Sequence, residues 1–576
     1  MNRYVGIVLL LFSITIRGQD CNCDITLSNL SSSSINIVQS NTVEYEPGHT
    51  LCIPAGTYAG IEFIGFEGED QNPLLITNCG GQVVIMESNK SGITFRNSRF
   101  IRLSGTGDLN VTYGFKVENA TGPGAVGINV ADFSSDIEID NIEIQNTAFA
   151  GILGKTDPKC DDEDTWRRNG YVLRNLNIHD NYIHHTGGEG IYLGYTGGYK
   201  VSSNLICGEE YIFGHWLENI TIHHNQLEHI GWDGIQTNLV RFGGVIFENT
   251  ITFYGLENKQ FQNFAMSVGG GNYTIYNNTI INSINGFGQG IQLISANSGS
   301  KLFNNVIINP QFHGIFIHNR HEFDNPNEGY YVLNNTIINP AASGVFYNTT
   351  ITESENSGLI SNSQENVPTL MVNNLIANPG NHYEQGNTWK GNAENYFDFN
   401  KRKTQIGMGS NIYSNIKTRQ IDTLCLASIE DMDFRPGSEA SPLVDAGSDM
   451  TIYGAPFDRN QKTRFVGSGM DIGAFEYQNE ILNLNCFGYG DDIYNDPTKY
   501  STSTIAFPNP TKKYIRLYNL NYQVANLQIF TLEGNLVHGS NYELGSSIDM
   551  GDFAKGIYFI ALEFDEYSEV HKIILE

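Results

Sequence analysis

The chain reads as an all-β protein built mainly from a solenoid of stacked strands, and three observations predict it. First, an Asn with an apolar residue two positions on recurs as Asn181-Tyr-Ile183, Asn225-Gln-Leu227, Asn249-Thr-Ile251, Asn278-Thr-Ile280, Asn305-Val-Ile307, Asn335-Thr-Ile337 and Asn374-Leu-Ile376, with gaps of 44, 24, 29, 27, 30 and 39 residues. Second, a Gly phrase follows most of them after a turn: Gly190-Ile-Tyr-Leu, Gly234-Ile-Gln-Thr, Gly290-Ile-Gln-Leu, Gly314-Ile-Phe-Ile and Gly344-Val-Phe-Tyr. A period of this length means stacked supersecondary units. Third, apolar residues alternate in short runs, as in Ile178-His-Asp-Asn-Tyr-Ile183, which is the period of a strand with one buried face. Such coils bury that face only by stacking, so like residues lie above one another. A stacked Asn passes side-chain hydrogen bonds along the stack, and Asn tolerates the left-handed turn conformation.

In chain order, residues 1–18 have the form of a signal peptide, with Arg3 before the apolar stretch Val5–Ile16, too short to span a bilayer. Residues 19–100 read as an N-terminal cap and first coils, since an open solenoid end exposes core and unpaired strand edges. Residues 101–177 continue the coils, with Ile137-Glu-Ile-Asp-Asn-Ile-Glu-Ile144 alternating and an acidic insertion, Asp157-Pro-Lys-Cys-Asp-Asp-Glu-Asp164. Regular coils follow over 178–378, with excursions at 195–215, 255–265, 320–328 and 350–366 that project as loops. Residues 379–477 lose the Asn period, residues 478–503 form a polar linker, and 504–576 form a separate small β domain.

The Asn-and-Gly repeat, with the opening Pro47-Gly-His-Thr-Leu-Cys-Ile-Pro-Ala-Gly-Thr-Tyr58, resembles the right-handed parallel β-helix family of secreted carbohydrate-active proteins. The resemblance covers roughly residues 43–400, within a β-helix domain that with its N-terminal cap spans 19–400, and implies that fold, a polysaccharide partner and a monomer. Asp433-Phe-Arg-Pro, Ser441-Pro-Leu-Val-Asp-Ala-Gly447, Asp458-Arg459 and Asp471-Ile-Gly-Ala-Phe-Glu476 resemble a module that closes bacterial β-helices, over 401–477. Its acids and Arg are expected to tie loops over the last coil. Ala506-Phe-Pro-Asn-Pro510, Leu527-Gln-Ile-Phe-Thr-Leu-Glu-Gly534 and Gly556-Ile-Tyr-Phe-Ile560 resemble the sandwich-like C-terminal sorting domain of the Bacteroidetes type IX secretion system. That resemblance implies the secretion machinery as a partner and a secreted or outer-membrane-surface location.

Acids outnumber bases 62 to 33, for a formal charge of -29, which excludes nucleic acid and anionic membranes as partners. The acidity is compatible with calcium, although no cofactor is required. Asp161, Asp162 and Asp164 are the candidate metal ligands, in a run without EF-hand spacing, and the solvated-loop reading stands beside that one. No other stretch is a transmembrane segment. Eight Cys in an exported chain predict disulfides. Cys52 with Cys79 and Cys160 with Cys207 are plausible pairs on neighbouring coils, with connectivity open.

Alignment on the Asn positions stacks His179 on His223 and His185 on His229, and alignment on the Gly phrase stacks Glu189, Asp233, Gln289 and His313. Adjacent strands stand about 4.8 Å apart, so carboxylates on adjacent coils couple. One then holds a proton as an acid while the other stays ionised, as glycoside hydrolysis requires, or the two share a cation. Glu189 and Asp233, assisted by His185, His229 and His313, are therefore the candidate catalytic residues. Tyr192, Trp232, Gln236, Arg241, Lys259, Gln292, His318 and Arg320 are the candidate substrate-binding residues. β-Elimination needs a base and a positive group for the uronate carboxylate. The chondroitinase B-like and alginate lyases on this fold use a Lys/Arg pair with calcium, which only Lys259 and Arg241 would mimic here. The expected function is polysaccharide cleavage by lyase or hydrolase chemistry. The alternative is a non-catalytic surface β-helix for glycan binding or adhesion.

Overall fold

The computed structural model describes residues 22–86, 89–196, 206–207, 210–211, 213–283, 286–294, 299–318, 329–348, 369–380, 397–399, 412–480, 482–483, 505–507, 513–518, 524–532, 534–543, 546–564 and 568–575. The expected signal peptide, Arg320, the excursions at 320–328 and 350–366 and most of the linker lie outside them. No helix among the described residues is long and apolar enough to cross a membrane.

The regular coils carry three strands, as in Val172–His179, Tyr182–Thr186 and Ile191–Leu193, stacked on Trp216–His223, Gln226–Ile230 and Ile235–Asn238. The first two strands of each coil meet at the Asn turn and belong to one 23-stranded sheet, and the third strands form a 12-stranded sheet. All pairings between successive coils are parallel, giving the right-handed parallel β-helix that the repeat predicts. Identical register places Ile139, Ile178, Ile222, Ile246, Ile275, Leu302, Val332 and Met371 in one interior column. These residues belong to one continuous buried core.

The Asn ladder runs unbroken. The side-chain Oδ1 of Asn225, Asn249, Asn278, Asn305, Asn335 and Asn374 each accepts the backbone N–H of the preceding ladder Asn at 3.0–3.2 Å. Each Nδ2 donates onward to the next Oδ1 at 3.0 Å. Two features differ from the expectation. Asn374 bonds to Asn415, so the ladder gains a coil beyond the region where the period fades. The left-handed residue is the one before each ladder Asn (Asp180, His224, Glu248, Asn277, Asn304, Asn334, Asn373, Ser414; φ 48 to 58°), because the ladder side chain must point inward.

Cys160 pairs with Cys207, as expected. Cys52 pairs with Cys23 and not with Cys79. The cap strand Ile25–Thr26 lies beside Leu51 and Cys52, whereas Cys79 sits opposite Pro54, two residues past Cys52. Cys79 and Cys425 are disulfide-bonded as well.

The closing module ties down the last coils. Arg464, without exposed surface, donates to Asn304 Oδ1 and the Gly473 carbonyl and lies 3.7 Å from the Glu476 carboxylate. Asp458, Asp471 and Glu476 accept loop N–H groups at 2.6–3.2 Å, so these acids hold loops, as expected. The last segment forms antiparallel sheets of three and four strands around their own core.

Candidate functional site

The turn before each third strand creates the first site. Gly151 N–H bonds the Glu189 carbonyl, Gly190 N–H that of Asp233, and Gly234 N–H that of Phe264. Glu189 and Asp233 are thus neighbours on adjacent coils. Phe264, not Gln289, stands next in the stack, because this coil carries Phe264-Ala265 where the others carry a Gly phrase. Both carboxyl groups have no exposed surface. Asp233 Oδ1 accepts the Phe264 N–H at 2.7 Å, and Glu189 Oε1 accepts the Gln262 amide at 3.5 Å. Glu189 Oε2 and Asp233 Oδ2 have no hydrogen-bond partner. Burial pushes Glu189 up to about 7, against the opposing pull of its own backbone N–H and Lys155, and holds Asp233 well above the usual carboxylate range.

Tyr192, Trp232 and Lys259 gather around the pair. Phe149 packs edge-on against Tyr192 and Trp232, and the Lys259 ammonium lies 4.9 Å over the Trp232 ring. The sequence reading missed Lys155, which pairs with Asp157 at 2.7 Å and lies over the Tyr192 ring, and Gln262. Gln236 follows Tyr192 in the outer column of the 12-stranded sheet, with Gln292 two coils on, where it accepts a hydrogen bond from Ser267. His318 ends the strand two residues beyond Phe316 in the same sheet.

Other expected members lie elsewhere. His185 and His229 stack at 4.8 Å, as expected, but at left-handed positions within the second strands (φ 54°). His313 lies three coils above Asp233, is buried against Ser343 Oγ at 2.7 Å, and is driven down to about 3 by burial. Arg241 is on the 23-stranded sheet, bonded to Glu218, so it forms no pair with Lys259 there. Asp162 caps the one-turn helix Glu163–Trp166 through the Asp164 N–H, and Asp161 and Asp164 are exposed, so the acidic run follows a turn. Among the described residues, the trio of His and acid donors that converges within 4.8 Å is Glu138, Asp140 and His179. Arg102 lies within 3.1 Å of both its carboxylates.

A second, reachable cluster occupies the outer face of the second strands. Register aligns Lys116, Glu143 and Tyr182 in one column and Gln145, His184 and Glu228 in the next. Glu143 lies 3.2 Å from the Lys116 ammonium and 3.4 Å from His184 Nε2. Tyr182 donates to Glu228 at 3.0 Å, and its ring stacks on His184 at 4.2 Å. Burial lowers His184 despite Glu143, so it is a neutral imidazole at neutral pH. Burial and then Glu228 push Tyr182 up to about 12, which keeps its hydroxyl a proton donor. Lys116 and Glu143 retain 23% and 18% side-chain exposure, so a chain lying on this face touches them. The signal in the sequence was Tyr182-Ile-His184, alternating outward from a ladder Asn. It stayed hidden because Lys116 and Glu143 come from strands 39 or more residues away in the ladder pairing.

Residues 505–576 match the secretion system C-terminal sorting domain family, so the chain is secreted or held at the cell surface. No curated protein matches the chain. Among solved structures, it is similar to a pectate lyase at 16% identity, covering 78% of this chain and 97% of that one, with a TM-score of 0.36. It is also similar to a PL6 family polysaccharide lyase from Pseudopedobacter saltans at 14% identity (67% and 92% covered, TM-score 0.33). A third is the A-module of a mannuronan C-5 epimerase from Azotobacter vinelandii at 13% identity (53% and 85% covered, TM-score 0.27).

Proposed function

We propose that this secreted β-helix cleaves an acidic polysaccharide by β-elimination on the open face of the second strands. One observation carries the reading: Lys116, Glu143, Tyr182 and His184 converge from three adjacent coils, with Lys116 and Glu143 open to solvent beside a largely buried His184. Neutral His184 removes the proton from the carbon next to the uronate carboxylate, and Lys116 offsets that carboxylate's charge. The electron pair left on carbon forms the new C=C bond as the C–O bond to the leaving sugar breaks. The leaving oxygen takes its proton from Tyr182, which recovers one from the His184 imidazolium. Glu228 orients the Tyr182 hydroxyl. Glu189 and Asp233 have no exposed surface, so hydrolysis by them requires substrate to displace the segment carrying Gln262.

A second reading, glycan binding without cleavage, is favoured by Glu143, which already answers both Lys116 and His184. The test is the full chain on a panel of polysaccharides, following reducing ends and the ultraviolet absorbance of unsaturated uronates. Both signals together, lost in Lys116→Ala and His184→Ala, are expected. Reducing ends alone would make the protein a hydrolase and return attention to Glu189 and Asp233. Binding without product would leave the adhesive reading standing.

A further inference from the structure

We infer that Glu189 and Asp233 form a buried site for a hard divalent cation of the calcium class, fastening the segment 255–263 to the solenoid. It is separate from the open face proposed to act on substrate. Two carboxyl groups without exposed surface sit on adjacent coils, and each has one oxygen, Glu189 Oε2 and Asp233 Oδ2, without a hydrogen-bond partner. A buried acceptor left unpaired costs about 1–3 kcal/mol, more when charged, so native folds keep such pairs for a ligand or a proton.

Among the described residues no side-chain cation forms an ion pair with either carboxyl group, and Lys155 acts on Glu189 only through its charge. The nearby Lys155 ammonium pairs with Asp157 and faces the Tyr192 and Tyr195 rings, and Lys259 lies over Trp232. The donors that do reach the carboxyl groups are an amide, Gln262 Nε2, and the backbone N–H groups of Phe264 and of Glu189 itself. Gln262 turned over offers its carbonyl oxygen, so a cation would find two carboxylates and an amide oxygen, all hard donors. The segment that supplies Gln262 leaves the solenoid after Tyr254 and is anchored by Gly255, Leu256 and Glu257 N–H groups to carbonyls at 230–232. A bound cation would join both ends of this excursion to two coils.

The test is calcium titration of the chelator-dialysed full chain by calorimetry near pH 8, with terbium as an optical probe excited through the adjacent Trp232. Binding in the ~10⁻⁴–10⁻³ M range of extracellular calcium sites is expected, with at least roughly tenfold weakening in both Glu189→Gln and Asp233→Asn. These neutral, near-isosteric changes preserve the Phe264 and Gln262 bonds. Trp232→Phe should abolish sensitised terbium emission while leaving the calorimetric binding in place. Absence of binding in the parent chain would overturn the inference. So would binding that persists unchanged in both carboxyl variants, which would belong to other acidic clusters.

Discussion

Glu189→Gln is expected to stabilise the cation-free protein at neutral and alkaline pH, because the native state holds this carboxyl away from water. Its ordinary value is 4.5 and burial raises it to about 7 in the folded chain. Between those values the folded state binds more protons than the unfolded state, so stability falls as pH rises through the window. At about 1.4 kcal/mol per pH decade, the gap amounts to about 3 kcal/mol of lost stability above pH 7. Asp233 responds in the same direction, and its repulsion from an ionised Glu189 adds to the loss. Gln cannot ionise, so the variant should gain up to about 3 kcal/mol over the parent at pH 8 and little or nothing at pH 4. Urea unfolding of both proteins at the two pH values, in chelator and monitored for the solenoid, measures this difference. Equal pH dependence in parent and variant would refute the argument, since it would mean that Glu189 ionises freely in the folded chain.

Three further outcomes follow from the same geometry. Asn305→Ala leaves the Asn278 N–H without its acceptor and breaks both neighbouring ladder links, costing about 3 kcal/mol or more and lowering the urea midpoint. Arg464→Met strands Glu476, Asp471 and Asp458 as uncompensated buried acids; at about 3–5 kcal/mol for a broken buried pair, limited proteolysis should open residues 421–480 first. If the elimination reading holds, the acid limb of the rate profile follows His184, whose burial lowers its value. That limb should therefore lie below the 6.5 of an ordinary His, with activity present above it, and His184→Ala should lower kcat by about 10²-fold or more.

Stacking made part of the candidate site legible in advance. His179 over His223 and His185 over His229 follow from the repeat alone, because parallel in-register coils superpose equivalent residues. The adjacency of Glu189 and Asp233 follows the same way. The error at Gln289 arose where one coil replaced its Gly with Ala265, which hid Phe264 from the Gly alignment. Arg241 and Lys259 are the only residues the sequence offers to mimic a Lys/Arg pair, yet a turn at Leu239 (φ 63°) carries the chain onto a different sheet between Asn238 and Val240.

From its repeat the chain by itself determined the solenoid and the column of Asn and Ile inside it, since each depends on local alternation and on equivalent residues meeting in register; the export domain at its end was legible through its resemblance to a known sorting domain. Tertiary structure decided what those columns face. Outward residues on separate strands become one cluster only when the coil pitch and strand register set their distances, as with Lys116, Glu143 and His184. Burial is likewise a property of what packs above a residue. Glu189 is buried where Gln262 reaches it, and burial changes an ordinary carboxylate into one pushed up to about 7.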